Sequence, residues 1–300
     1  MTDRALLAMS RRNLLLALGA ATTLPAPAAT PPGRVVASFS ILADMAREIA
    51  PAGVEVTSLV RPDADAHVFE PTPADARRLA QADLVLVNGL GFEGWIERLI
   101  KVSGYRGTTV VATQGIATRQ VGGSADPHAW QDLGLAQGYV GNLSRALAAR
   151  WPEAAAEVEA RTADYRARLA ALDTQVRQWL GAVPREKRRV ITSHDAFGYF
   201  GNAYGVDFLA PQGWTTRSEP SAATVARLLR QVREQDVQAL FVENISDPRL
   251  VERIARETGA RVGGTLYSDA LSAAGGPADT YLRMFAHNAR SLAEALSKTR

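Results

Sequence analysis

Short runs rich in β-branched and aliphatic residues alternate along this chain with segments whose apolar positions recur every three or four residues. That alternation predicts an α/β protein in which parallel sheets are wrapped by helices. In the first half, strands are expected at 34–38, 54–60, 83–88 and 108–112, with helices at 41–50, 73–81 and 94–102. The second half repeats the plan with strands at 189–193, 206–209, 237–242 and 261–265. Its helix at 222–235 carries Val225, Leu228, Leu229 and Val232 on one face. A helix at 248–258 is punctuated by Asp247 as N-cap, Pro248 in the first turn and Gly259 just past the end. A last helix is expected at 279–296.

Between the halves, Val158, Tyr165, Leu169, Leu172, Val176 and Trp179 recur at steps of three, four and seven through 152–180, before Gly181 and Pro184. One apolar stripe on an otherwise charged segment predicts a single amphipathic helix of about 43 Å. The expected organisation is an N-terminal α/β lobe at 30–150, a linker helix at 151–182 and a C-terminal α/β lobe at 183–300. A stiff helical connector argues against a large closing motion of the lobes.

Residues 1–29 follow a different pattern: a basic stretch ending in Ser10-Arg11-Arg12, an apolar run at 14–24, and Ala26-Pro27-Ala28. This is the layout of an export signal with a small-residue cleavage site, and the arginine pair is a feature of the twin-arginine route. A membrane anchor would need roughly 20 apolar residues, more than this run offers. A periplasmic location is therefore expected.

Composition narrows the function classes. Of the formal charge of +3, Arg4, Arg11 and Arg12 against Asp3 account for +2, leaving +1 on the rest of the chain. So balanced a surface carries no electrostatic footprint for nucleic acid. The chain has no cysteine, which removes thiolate metal sites, disulfides and thiol redox chemistry together. Any metal must be held by nitrogen and oxygen.

Three of the four histidines occupy equivalent places, each in a loop that follows an expected strand: His67, His128 and His194. Asp269 stands in the same relation to the strand ending at Thr265. Ligands of open parallel sheets bind outside the carboxyl ends of the strands, so two groups from each lobe can meet across a cleft. Three imidazoles and a carboxylate suit a borderline divalent ion such as zinc, and neither calcium nor magnesium selects three nitrogens.

The stretches DADAHVFEPTPAD (63–75), ADLVLVNGLGFEGW (82–95), ADPHAWQD (125–132), TSHDAFGYF (192–200), FVENISDP (241–248) and TLYSDALS (265–272) occur in this order. Together they resemble the metal-binding solute receptors of cluster A-I, the zinc and manganese receptors of bacterial ABC importers. The similarity runs from about residue 34 to 296. It implies two lobes joined by one long helix, with His67, His128, His194 and Asp269 as metal ligands. It also implies a monomeric, non-enzymatic receptor that delivers its metal to an ABC permease, with a periplasmic metallochaperone as a further candidate partner. In this family the third ligand is typically histidine in zinc receptors and glutamate in many manganese receptors, so His194 favours Zn2+ over Mn2+ or Fe2+ as the transported ion.

Many zinc receptors of the family carry a histidine- and acid-rich loop between the first two ligands, whereas 114–126 here contains no histidine. Its Gly122-Gly123-Ser124 fits either a segment that orders when metal arrives or a flexible surface loop. Glu70, Asp126 and Asp195 adjoin the ligands and read either as partners that orient the imidazoles or as capping and solvated charges. Trp95, Trp130 and Phe197 read as packing residues, and His287 as structural. The competing class is an exported zinc hydrolase, but neither a helical His-Glu-x-x-His nor a nucleophile elbow is present.

Overall fold

A computed structural model describes residues 33–297 apart from 219, 235, 236 and 238. The expected export signal at 1–29 lies outside the described residues.

The first half comprises β1 (Gly33–Ala37), α1 (Ser40–Ile49), β2 (Val54–Ser58), α2 (Pro73–Ala80), β3 (Leu84–Val87), α3 (Ile96–Ser103) and β4 (Thr108–Val111). Its sheet has the order β2-β1-β3-β4, with every pair parallel. The second half comprises β7 (Arg189–Ile191), α6 (Gly198–Tyr204), β8 (Asp207–Leu209), α7 (Ala222–Glu234), β9 (Ala239–Glu243), α8 (Arg249–Thr258), β10 (Arg261–Leu266) and α9 (Tyr281–Ser297). Its sheet has the order β10-β9-β7-β8, again all parallel. Read in chain order, each lobe places its second strand on one side of its first, and its third and fourth on the other. Each sheet therefore has a switch point where crossovers leave in opposite directions, the geometry that opens a crevice at the carboxyl ends.

Local chemistry explains several boundaries. Thr72 and Asp75 close a reciprocal capping box at the start of α2, with Pro73 in the first turn. The N-terminus of α8 falls one residue later than expected: Pro248 is the boundary residue, while Asp247 still accepts from Arg249 N at 3.0 Å. Gly259 ends that helix in the left-handed region.

Two helices escape the sequence pattern. The first is α4 (Leu133–Arg150), interrupted by Gly134, Gly138 and Gly141. Each interior glycine costs about 1 kcal/mol relative to alanine. Burial of Leu133, Tyr139, Val140, Leu143 and Leu147 outweighs this, at roughly 1.5–3 kcal/mol per large apolar side chain. Glycine also permits close packing, because a Cβ at position 141 would lie 2.5 Å from Arg166 Nη2 of the next helix. The second is the short α6, whose glycines and aromatic residues show no helical period.

The long amphipathic helix is present as α5 (Ala155–Gly181), 27 residues, preceded by a turn at Pro152–Ala154. It buries Val158, Thr162, Tyr165, Leu169, Leu172, Val176 and Leu180, while Trp179 is half-buried beneath the Arg290 guanidinium. It packs along α4, α1, α6 and α9, so it is a shared wall of both lobes rather than a free rod. One continuous core extends from β1 and α1 through α4 and α5 to Phe200 and Phe285, and a smaller core lies between β9, α7 and α8.

Segment 114–126 forms a hairpin, β5 (Gln120–Val121) antiparallel to β6 (Ser124–Ala125). Gly122 and Gly123 fill the two turn positions at φ 58° and 83°, which side-chain-bearing residues rarely adopt. The two glycines are thus the turn of a two-stranded hairpin beside His128.

Candidate metal centre

The loop carrying His67 follows β2 and is tied down from both lobes. His67 N donates to Asp65 Oδ1 at 2.8 Å, and Trp95 Nε1 donates to Ala66 O at 2.7 Å. From the second lobe, Arg217 Nε donates to His67 O at 3.1 Å and Thr216 Oγ1 to Asp65 Oδ2 at 2.5 Å. Asp63, held at φ 53°, accepts from Asn244 Nδ2 and Ala273 N, each at 3.0 Å.

His128 follows the hairpin and opens a single turn at Ala129–Gln131. Asp126 grips it twice, accepting from His128 N at 3.0 Å and facing Nδ1 at 2.7 Å through the same oxygen. His194 follows β7. Glu243, the last residue of β9, accepts its backbone N–H at 2.8 Å and faces its Nδ1 at 2.6 Å. Asp269 follows β10, and the preceding Ser268 O accepts from Trp130 Nε1 at 2.9 Å and Gln131 Nε2 at 2.8 Å.

These loops bring four side chains to one point. Asp269 Oδ2 lies 3.2 Å from both His67 Nε2 and His194 Nε2, and Oδ1 lies 3.6 Å from His128 Nε2. One donor atom from each of the four falls within 4.8 Å of the others, and all four residues are at most 1% exposed. Among the described residues this is the one such group of three or more histidine and carboxylate side chains. Among the described residues no hydrogen-bond partner satisfies the three Nε2 atoms or either Asp269 oxygen. Buried polar atoms without partners are costly, so a cluster of them facing one another is the arrangement a cation would repair.

The electrostatics follow from burial set against carboxylates. Burial disfavours imidazolium at all three rings. For His67 it wins despite Asp269, and the pKa falls below the usual histidine value. For His128 the carboxylates of Asp269 and Asp126 outweigh burial and raise the pKa to about 9. Glu243 and Asp269 likewise outweigh burial at His194 and raise it well above the ordinary value. Burial alone would raise the Asp269 carboxyl, but His128 and His194 reverse this and hold it well below the carboxylate range.

Other expectations resolve as follows. Asp126 is the imidazole partner that one of its two readings supposed, whereas Asp195 is half-exposed, 3.8 Å from Arg119 Nη1, and Glu70 is exposed to solvent. Phe197 packs in the second lobe, stacked on Phe208. Trp95 and Trp130 do more than pack, since each indole N–H fixes the backbone next to a clustered residue. Trp130 also lies 5.2 Å from the His128 ring, and Phe92 lies 4.7 Å from His67. Glu243 and Phe92 were not singled out from the sequence. The available signal for Glu243 was a carboxylate ending an otherwise apolar run, Ala239 to Val242. His287 bonds Thr265 O through Nε2 at 3.1 Å, a structural role.

Two parallel-sheet lobes on a shared helical wall, with three imidazoles and a carboxylate buried between them, define a metal-binding solute receptor of the ABC-importer class. A family model described as zinc-uptake complex component A, periplasmic, matches residues 35–295, and this chain belongs to that family. The manganese-binding lipoprotein MntA of Halalkalibacterium halodurans is 31% identical over 266 residues, covering 88% of this chain and 89% of the relative. The iron-binding protein YfeA of Yersinia pestis is 32% identical over 258 residues, covering 84% and 82% respectively. Among solved structures, the periplasmic zinc-binding protein TroA from Treponema pallidum superimposes with a TM-score of 0.85 at 30% identity, covering 89% of this chain and 99% of that one.

Proposed function

We propose that this receptor captures Zn2+ between its lobes, with Nε2 of His67, His128 and His194 and the carboxylate of Asp269 as ligands, and delivers it to an ABC permease. The observation that carries the reading is the convergence of these four buried donors, two from loops in each half of the chain, within 4.8 Å of one another. Asp126 and Glu243 sit on Nδ1 of His128 and His194, which leaves Nε2 of each ring as the inward-facing lone pair once the ring is neutral. Three nitrogens favour zinc over the harder ions. One observation supports Mn2+ or Fe2+ as the second reading: both Asp269 oxygens face imidazoles, so the site can supply five donors.

Capture without catalysis is supported by burial. Four protein ligands complete a tetrahedral zinc shell, and no ligand side chain exceeds 1% exposure, so a substrate has no approach to the metal. We take residues 30–150 and 183–300 as the two lobes and 151–182 as the linker. The core continuous across that linker supports a small opening rather than a wide hinge. Residues 1–29 direct the chain to the periplasm, where it works as a monomer; loading by a metallochaperone is compatible with so enclosed a site.

Equilibrium dialysis with elemental analysis tests the assignment. One zinc per chain is expected, with affinity lowered by orders of magnitude in His128→Ala and His194→Ala and unchanged in His287→Ala. Full affinity in the first two variants would refute the ligand set.

A further inference from the structure

Arg119 stands immediately before β5 in the first lobe, and its contacts reach both lobes at once. Its Nη1 donates to Asp126 Oδ2 at 2.8 Å, while the other oxygen of that carboxylate holds His128. The same Nη1 lies 3.8 Å from Asp195 Oδ1, on the residue that follows His194. Arg119 N donates to Tyr199 OH at 3.0 Å, and that hydroxyl donates to Asp126 O at 2.8 Å. Tyr199 belongs to α6 of the second lobe, and its ring lies 5.9 Å from the guanidinium carbon. Space for the guanidinium exists only because residue 198 is glycine, since a Cβ there would fall 0.9 Å from Nη1.

We infer that Arg119 is a positioning residue for metal retention: a strut that locks the Asp126–His128 pair against the second lobe and sets how fast the bound ion leaves. The inference rests on the proposed ligand set. Asp126 is fully buried, and among the described residues Arg119 is the cation paired with it besides the imidazole it orients. Removing the guanidinium leaves a buried carboxylate whose orientation is fixed on one side only, so the His128 ring is less well held. It also removes a direct tie between the loops carrying His128 and His194. The Arg119 side chain is 27% exposed and lines a solvent-open cavity of about 950 Å³ beside Arg185 and Arg188, so the strut can be reached from outside while the metal cannot.

The test is the zinc dissociation rate into excess chelator, measured by stopped flow on full-length wild type, Arg119→Ala, Arg119→Lys and Gly198→Ala. Wild-type stoichiometry is measured first, and absence of a bound zinc there would sink the ligand set itself. Given one zinc, Arg119→Ala and Gly198→Ala should each release it at least about tenfold faster, with Arg119→Lys intermediate. Gly198→Ala displaces the guanidinium without altering Arg119 or Asp126, so it decides the matter if Arg119→Ala does not fold. Dissociation within twofold of wild type in folded Gly198→Ala, or in folded Arg119→Ala, would overturn the role of Arg119 and leave the ligand set standing. A lysine variant no slower than alanine would also count against it, because a cation that keeps part of the contact with Asp126 should hold that carboxylate better than none.

Discussion

Trp130 Nε1 donates to the carbonyl of Ser268 at 2.9 Å, joining a residue two positions after His128 to the one just before Asp269. The loops that carry His128 and Asp269, one from each lobe, are thus fastened to each other through an indole. Trp130 O in turn accepts from Tyr281 OH at the start of α9, which anchors the same turn to the helical wall. Trp130→Phe keeps an aromatic ring but loses the donor and part of the indole volume, while Ser268 O retains Gln131 Nε2. The expected cost is about 2 kcal/mol of stability by chemical denaturation, with zinc affinity falling less than in any ligand variant. Trp130→Ala, which empties a fully buried site, should cost about 3–5 kcal/mol.

Glu243 is the corresponding orienting group for His194. Glu243→Gln preserves shape but replaces the carboxylate at Nδ1 with an amide, weakening its hold on the ring tautomer. Zinc affinity is expected to fall about 10- to 100-fold, read by competition with a chromogenic chelator. The variant should still bind one ion, because no ligand is lost.

If His128 and His194 are zinc ligands as proposed, protons compete with the metal for them. Zinc needs neutral imidazoles, and in the metal-free protein the pKa of His128 is held up at about 9 and that of His194 well above its ordinary value. Apparent zinc affinity should therefore rise steadily from pH 6 towards pH 9 in metal-buffered titrations. The stability of the metal-free protein should run the other way. A histidine whose folded pKa is raised contributes stability that is complete below about pH 6.5 and lost as pH climbs through the folded value. Zinc-loaded protein should lack that loss, and a flat affinity profile between pH 6 and 8 would contradict the site electrostatics.

Away from the site, Asp44 on α1 accepts from Tyr281 N at 2.7 Å, and burial raises its carboxyl to about 6 against that hydrogen bond. The folded state holds this proton more tightly than the unfolded chain does. Its stabilising contribution is complete below about pH 4 and disappears as pH rises to 6. Asp44→Asn keeps an acceptor for Tyr281 N and removes the titration. The variant's stability relative to wild type should therefore improve by about 2–3 kcal/mol between pH 4 and 7 in paired urea titrations.

Much of this was legible in the chain. Parallel strands buried on both faces read as apolar runs, and β3, Leu-Val-Leu-Val, needs no tertiary information. The stripe on α5 is equally plain, because six apolar positions recur on one face of an otherwise charged helix. The clustered residues were legible because histidine is rare here and each one follows a strand. What stayed hidden depends on distant partners. The glycines of α4 lower its helix propensity, and tertiary packing, chiefly on α5, restores it. Glu243 lies 49 residues from His194, and Trp130 lies 138 from Ser268. Adjacency in a sheet or across a cleft, not any local pattern, gives those side chains their roles.

The central claim is that one ion sits among His67, His128, His194 and Asp269. Anomalous diffraction at the zinc edge from crystals of zinc-loaded protein tests it most directly. A single strong peak is predicted at about 2.0–2.2 Å from Nε2 of all three histidines and from an Asp269 carboxylate oxygen. A zinc peak elsewhere, with these four side chains left uncoordinated in fully loaded protein, would contradict it.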